Sequence, residues 1–224
     1  MIGTLYIIST PIGNLADITL RALEILRSVD YILCEDTRVA GKLLIRYQIH
    51  KTMVSLNDFN EASKITSVVG DLMSGKNIAL VSDAGTPLVS DPGYKLVREC
   101  IHQKIAVEAI PGPTSLIAAL TVSGLPPDKF TFLGYLPKQD GKRLKILEAV
   151  KDNQENLKST TIIFESPFRI LKTLEDIKQV FGDIDVVICR ELTKLYEEVR
   201  REKVSQSIMH FSQTKPKGEF VILF

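Results

Sequence analysis

Leu5-Tyr6-Ile7-Ile8 runs straight into Ser9-Thr10-Pro11-Ile12-Gly13-Asn14-Leu15. Beyond it, Ile18, Ala22, Ile25, Leu26 and Val29 recur at helical spacing before a second apolar run, Tyr31-Ile32-Leu33-Cys34. Short β-branched and aromatic runs closed by turn residues mark strands, and a 3.6-residue apolar stripe marks one face of a helix. A turn between the first strand and that helix needs an N-cap, and Asp17 is the residue expected to supply it. The alternation then repeats. Ala62, Ile65, Val69 and Leu72 form a helical stripe, Ile78-Ala79-Leu80-Val81 a strand, a helix follows Pro92, and Ile105-Ala106-Val107-Glu108-Ala109 is another strand. Strands separated by crossover helices build a parallel sheet.

After Pro111-Gly112-Pro113 a helix of small residues, Thr114 to Val122, leads to Ser123-Gly124-Leu125-Pro126-Pro127. Two adjacent prolines bar regular structure there. The sequence therefore divides into residues 1–123 and 124–224. Strands are expected in the second part near Phe130–Tyr135, Thr160–Phe164, Val186–Cys189 and Phe220–Phe224, with a helix striped by Ile170, Leu174, Ile177 and Phe181. The fold class is α/β in two domains, the first mostly parallel and the second a mixed sheet.

Composition excludes several classes. Hydrophobic residues make up 45% and charged residues 25% of the 224, the balance of an ordinary globular chain rather than a disordered or fibrous one. Apolar runs are strand-sized, with no signal peptide or membrane span. Cys34, Cys100 and Cys189 stand far apart, without the paired spacing of a zinc site or an even disulfide framework, which suits a reducing compartment, the cytoplasm. Residues 1–123 carry 11 Lys+Arg against 12 Asp+Glu and residues 124–224 carry 17 against 15, so neither part has the basic excess of a general nucleic-acid binder.

Gly70-x4-Gly75-Lys76 nearly spells a phosphate-binding loop, yet Asn77 stands where Ser or Thr should bind magnesium, and the segment closes a helix instead of opening one. It is expected to be a helix C-cap. No GxGxxG follows the first strand. Candidate chemistry lies instead in the turns that end strands, because loops at the carboxyl edge of a parallel sheet face the ligand crevice. Ser9 to Leu15 is the first. Ser82-Asp83-Ala84-Gly85-Thr86-Pro87 and Ser90-Asp91-Pro92-Gly93 are the next, where close backbone approach and a carboxylate suit a polar cofactor. Glu35-Asp36-Thr37-Arg38 pairs two acids after the second strand; Asp36 can cap the next helix, and paired carboxylates in a crevice can raise one pKa and supply a base. Arg190-Glu191-Leu192-Thr193-Lys194 follows a later strand. Lys138, Lys142, Arg143 and Lys145 form a basic run that is either a solvated face or a contact for an RNA backbone. His50, His102 and His210 have no ligand spacing, and no metal is implied.

Taken in order, Thr10-Pro11-Ile12-Gly13-Asn14-Leu15, Asp17-Ile18-Thr19-Leu20-Arg21-Ala22, Glu35-Asp36-Thr37-Arg38, Ser82-Asp83-Ala84-Gly85-Thr86-Pro87, Ser90-Asp91-Pro92-Gly93, Pro111-Gly112-Pro113, Arg190-Glu191-Leu192-Thr193-Lys194 and Lys217-Gly218-Glu219-Phe220 closely resemble the ribosomal-RNA 2′-O-ribose methyltransferases of the tetrapyrrole methylase superfamily. The resemblance runs from the first strand to the last residues. It implies S-adenosyl-L-methionine as cofactor, held in a cleft between two α/β domains, and a homodimer. The implied substrate is a cytidine ribose in the decoding region of 16S rRNA in the small ribosomal subunit. Pro11, Ser82, Asp83, Ala84, Thr114 and Ser115 of the first domain, with Phe164, Leu192 and Gly218 of the second, would then line the cofactor. Methyl transfer to a hydroxyl needs an aligned displacement and a proton acceptor, for which Glu35, Asp83, Glu191 and Lys194 are the candidates. Two other readings remain: a precorrin-type C-methyltransferase, against which Pro11-Ile12-Gly13-Asn14 departs from that branch's Gly-Pro-Gly-Asp turn, and a catalytically silent ribosome-binding protein.

Overall fold

The computed structural model describes residues 1–224, apart from the side chains at positions 155 and 156. Its apolar runs and amphipathic stripes form two compact units, Met1–Thr114 and Ser115–Phe224. The division falls ahead of the Ser123–Pro127 linker because the helix Ser115–Ser123 packs on strands of the second unit.

In the first unit the order is β1 (Thr4–Ile8), α1 (Leu20–Ser28), β2 (Tyr31–Cys34), α2 (Thr37–Arg46), β3 (Thr52–Ser55), α3 (Glu61–Met73), β4 (Ile78–Val81), α4 (Tyr94–His102) and β5 (Ala106–Ile110). The strands lie β3-β2-β4-β1-β5, every pair parallel. Successive strand residues point to opposite faces, and the two faces carry separate cores. Ile8, Ile32, Ala79 and Val81 pack with Ala22 and Leu26 of α1 and with Leu43 and Leu44 of α2. Leu5, Leu33, Ile78 and Leu80 pack with Val68 and Leu72 of α3 and with Leu96 and Cys100 of α4. Burial on both sides explains why these strands are continuous apolar runs rather than alternating ones.

Two local expectations meet different outcomes. Asp17 is not the cap: it lies inside a short 3-10 turn over Leu15–Asp17 that Asn14 caps, and the N-cap of α1 is Thr19, whose side chain accepts from the Ala22 N–H. The short turn takes up residues 15–17, so the capping position of α1 falls two residues on, at Thr19. The glycine-lysine pair at 75–76 does close α3, the Gly75 N–H donating to the Leu72 carbonyl and the Lys76 N–H to that of Asp71.

The second unit runs α5 (Ser115–Ser123), β6 (Phe130–Tyr135), α6 (Asp140–Leu157), β7 (Thr160–Glu165), α7 (Ile170–Phe181), β8 (Asp185–Arg190), β9 (Glu198–Lys203), α8 (Val204–Gln213) and β10 (Phe220–Leu223). Its sheet order is β6-β7-β10-β8-β9. β6 and β7 are parallel and the remaining pairs antiparallel, a mixed sheet. Leu174 and Ile177 of α7 and Val204 and Phe211 of α8 cover Ile163, Ile188 and Ile222 in its core.

Arg143, in the basic run, is only 2% exposed. Its Nε donates to Asp176, itself 1% exposed, its Nη2 to Asp140, and its Nη1 to the carbonyls of Pro137 and Lys138. It therefore ties α6 to α7 and holds the loop before α6, and it is not available to an RNA phosphate. Lys138, Lys142 and Lys145 are exposed.

Candidate functional site

The carboxyl ends of β1, β4 and β5 are laced together by their following loops. Thr10 and Gly85 form a two-way backbone bridge, the N–H of each donating to the carbonyl of the other at 2.8 and 3.0 Å. The Thr10 hydroxyl donates to the Ser82 carbonyl, Ser9 and Thr86 share a hydroxyl hydrogen bond at 2.9 Å, and Thr86 reaches the Pro113 carbonyl. Gly112 lies so close to Ser9 that a Cβ there would sit 2.9 Å from the Ser9 Cβ; only glycine permits the approach. Pro11 and Ser82 are buried in this lacing, Asp83 is half-buried and Ala84 exposed. Pro11, Ser82 and Asp83 border a recess of about 50 Å³ floored by Leu26, Ile32 and Leu43, too small for a nucleoside, which needs several hundred Å³. Thr114 and Ser115 follow β5 at the start of α5.

Carboxylates gather at the same edge. The Asp36 N–H donates to Asp83 Oδ1 at 3.1 Å, joining the loop after β2 to the loop after β4. Asp36 also caps α2 and chelates Arg38, which draws its carboxyl down to about 2. Glu35 is held above the ordinary carboxylate value by burial first and then by the charges of Asp83, Asp91, Asp58 and Asp36. Asp83 is likewise raised, by burial and then Asp36, against the backbone hydrogen bond it accepts. Asp91 reaches about 6, again mainly by burial, although Ser82 donates to it. The sequence shows the paired acids at 35–36 but gives no sign that Asp58 and Asp91 join them, since turn residues at 58 and 91 carry no mark of burial. Among the described residues no group of three or more His, Cys, Asp and Glu could hold a metal ion.

Ionised Asp91 opposes folding. Its folded pKa of about 6 exceeds the usual 3.8, so the folded chain binds the proton more tightly and loses stability as pH rises through that window. A rise of this size corresponds to about 3 kcal/mol, which solvent screening of a partly exposed group cuts to about 1–2 kcal/mol. Asp91→Asn is accordingly more stable than the parent by that amount at pH 8 in urea melts, and the gap closes as pH falls from 6 towards 4.

In the second unit, Glu191, Leu192 and Lys194 follow β8, Gly218 precedes β10, and Phe164 lies near the end of β7, so all five share one sheet edge. Lys194 Nζ donates to Glu191 Oε1 and Glu219 Oε2, each at 2.9 Å, and the Glu219 N–H donates to the same Glu191 oxygen. Burial raises the Glu191 carboxyl, but the bonds from Lys194 and Glu219 outweigh it and hold it low. Burial lowers the Lys194 ammonium, yet the bonds to Glu219 and Glu191 hold it high. Both groups therefore stay charged. Gly218 has φ +93°, and a Cβ there would lie 2.5 Å from the Glu191 side chain. Glu219 is a member that sequence reasoning missed, although it stands inside Lys217-Gly218-Glu219-Phe220. Phe164 stacks edge-on with Phe132 at 4.8 Å and Tyr135 at 5.8 Å.

Comparison with known proteins agrees with the geometry. Residues 4–207 match the family Tetrapyrrole (Corrin/Porphyrin) Methylases. A Thermotoga maritima protein named Ribosomal RNA small subunit methyltransferase I is 47% identical over 221 residues, covering 99% of this chain and 97% of that one. The Escherichia coli O157:H7 protein of the same name is 45% identical over 224 residues, 99% of this chain and 77% of its own length. Among solved structures, a diphthine synthase superposes with a TM-score of 0.78 at 15% identity, over 99% of this chain and 89% of that one. A cobalt precorrin-4 methyltransferase does so with 0.71 at 19%, over 98% and 94%. At such identities the likeness is one of fold.

Proposed function

The chain belongs to the tetrapyrrole methylase family, and from that premise we propose that it transfers a methyl group from S-adenosyl-L-methionine to small-subunit ribosomal RNA, at the 2′-hydroxyl of a cytidine in the decoding region. The observation that carries this is near-full-length identity of 42 to 47% to proteins named Ribosomal RNA small subunit methyltransferase I. The residues present suit the cofactor. A carboxylate-rich sheet edge complements a positive sulfonium. Bound there, the cofactor supplies an electrophilic methyl group on a positively charged sulfur.

The protein's own contribution is alignment and proton removal. Glu35 is assigned as the acceptor of the ribose hydroxyl proton, because a carboxylate held above its ordinary value by burial and neighbouring charges binds a proton more tightly than a surface acid. Asp83, with one oxygen engaged by Asp36, is left one carboxylate oxygen for a cofactor hydroxyl. Glu191 and Lys194, both held charged, are assigned to orienting the substrate as a fixed pair. Pro11, Ser82, Ala84, Thr114 and Ser115, with Phe164, Leu192 and Gly218, are the proposed cofactor-lining residues. No helix among the described residues is long and apolar enough to cross a membrane. Cys34, Cys100 and Cys189 are free, buried thiols, which favours a reducing, cytoplasmic setting. A homodimer completes the proposal, as the resemblance implies.

The test is transfer of a labelled methyl group to purified small ribosomal subunits, with the product mapped by mass. Ribose methylation of one decoding-region cytidine is expected. Label appearing only on precorrin-type substrates, or on nothing although the cofactor binds, would overturn the assignment.

A further inference from the structure

The acidic sheet edge of the first unit suits a cationic cofactor but repels phosphates, so affinity for an RNA strand has to come from other surface. The segments after β6 and β7 carry exposed aromatic and cationic side chains. Tyr135, 54% exposed, ends β6 just past a bulge at which the pairing of β6 with β7 shifts between Phe132 and Tyr135; bulges of this kind re-aim a side chain. Lys138 in the following loop and Lys142 in the first turn of α6 come next, both exposed, and Arg143 pins the loop by bonding the Pro137 and Lys138 carbonyls. Phe168, 93% exposed, sits at the tip of the turn after β7.

That turn is rigid. Pro167 fixes the backbone before Phe168, the Arg169 and Ile170 N–H groups both donate to the Ser166 carbonyl at 3.1 Å, and the Ser166 N–H donates to Glu165. Arg169 then crosses to the neighbouring loop, donating to the Leu136 carbonyl at 2.6 Å, while pairing with buried Glu165 at 3.3 Å. A single exposed aromatic is ordinary. Here one ends β6 and the other stands on the turn after β7, which Arg169 ties to the segment following Tyr135, and Tyr135 edges onto Phe164 of the proposed cofactor-lining set. Rigid aromatic faces cost little entropy to stack on, and every base presents a π-face, whereas exposed lysines meet phosphates.

We propose that Tyr135, Lys138, Lys142 and Phe168 form a strip that holds single-stranded RNA beside the reacting nucleotide, Phe168 stacking on a base and the two lysines contacting backbone phosphates. This rests on the RNA-methylating function proposed above. It requires that nucleotides next to the target be unpaired, because bases within a helix offer no free face.

The chain contains no tryptophan, so Phe168→Trp installs a single tryptophan on this turn, excited selectively at wavelengths where the tyrosines barely absorb. Titration with a short unstructured oligoribonucleotide is expected to quench it, and polyglutamate is not. Phe168→Ala is expected to weaken RNA binding about five- to hundredfold while leaving calorimetric cofactor affinity and melting temperature unchanged, with Phe168→Tyr keeping the binding and Phe168→Leu losing it. Lys138→Ala with Lys142→Ala is expected to flatten the plot of log affinity against log salt by about 1.4, two contacts at roughly 0.7 each. Equal quenching by polyglutamate would assign the strip to acidic polypeptides and overturn the proposal. So would parental affinity in all these variants while the parent methylates subunits, a result that leaves the methyltransferase function standing. A parent that binds neither RNA nor subunits removes both together.

Discussion

Glu35→Gln lowers methyl transfer to small subunits by about 10²–10⁴-fold, the usual contribution of a positioned general base, and the loss persists at saturating cofactor. The substitution preserves shape while removing the carboxylate's charge together with its ability to take up a proton. A pH profile separates this role from a structural one. Only ionised Glu35 accepts a proton, so the rate falls as pH drops through its folded pKa, which burial and the charges of Asp83, Asp91, Asp58 and Asp36 hold above the ordinary carboxylate range. Neutralising one of those charges must move that limb to lower pH. Asp91→Asn does so while adding stability, and Glu35→Gln abolishes the limb altogether. Parental rates in Glu35→Gln would return the base to Asp83 or Glu191.

Arg143→Ala destabilises the chain by about 3–5 kcal/mol in denaturant melts, because it strands the carboxylate of Asp176 in the interior. Lys172 Nζ, 3.2 Å from Asp176, takes up part of the loss and sets the outcome toward the lower end of that range. Replacing both partners, Arg143→Met with Asp176→Leu, recovers most of the stability, since the cost lies in the orphaned charge and not in the missing pair. RNA affinity does not recover with it, because Arg143 also anchors the Lys138 loop through two carbonyls. Equal losses in the single and double variants would mean that packing volume, and not charge, governs this site.

Which elements the sequence makes legible follows from how they are buried. β1, β2 and β4 stand out because strands covered on both faces become apolar runs, and β5, an edge strand with burial mainly at Ile110, is read from its short β-branched run ahead of Pro111-Gly112-Pro113. β3, Thr52–Ser55, is an edge strand of four residues with little burial, and it leaves no such mark. β9, Glu198-Val199-Arg200-Arg201-Glu202-Lys203, looks like a solvated charge run, yet it pairs with β8 along its whole length. Its charges blunt an open sheet edge, and Arg200 is held by Glu198 and Glu202. Arg143 misleads for a related reason. Asp140, three residues away, is visible from spacing, whereas Asp176 is 33 positions distant and joins it only when α6 meets α7. The turns carrying Pro11, Ser82, Asp83, Glu191 and Gly218 are readable as turns, but the lacing through Thr10–Gly85, the gathering of Asp58 and Asp91 and the recruitment of Glu219 are products of topology. Fractional burial, which sets the pKa of Glu35, has no signature in sequence at all.

β1 lies between β4 and β5, although it is made before both of them. Its two hydrogen-bonding flanks remain open until positions 78–81 and then 106–110 have been made, so the nascent chain must carry a sticky apolar ribbon through most of the synthesis of its first unit. Parallel pairings of such long sequence separation are slow and aggregation-exposed. The growing polypeptide thus depends on prompt shielding of residues 4–8, well before any substrate can be engaged.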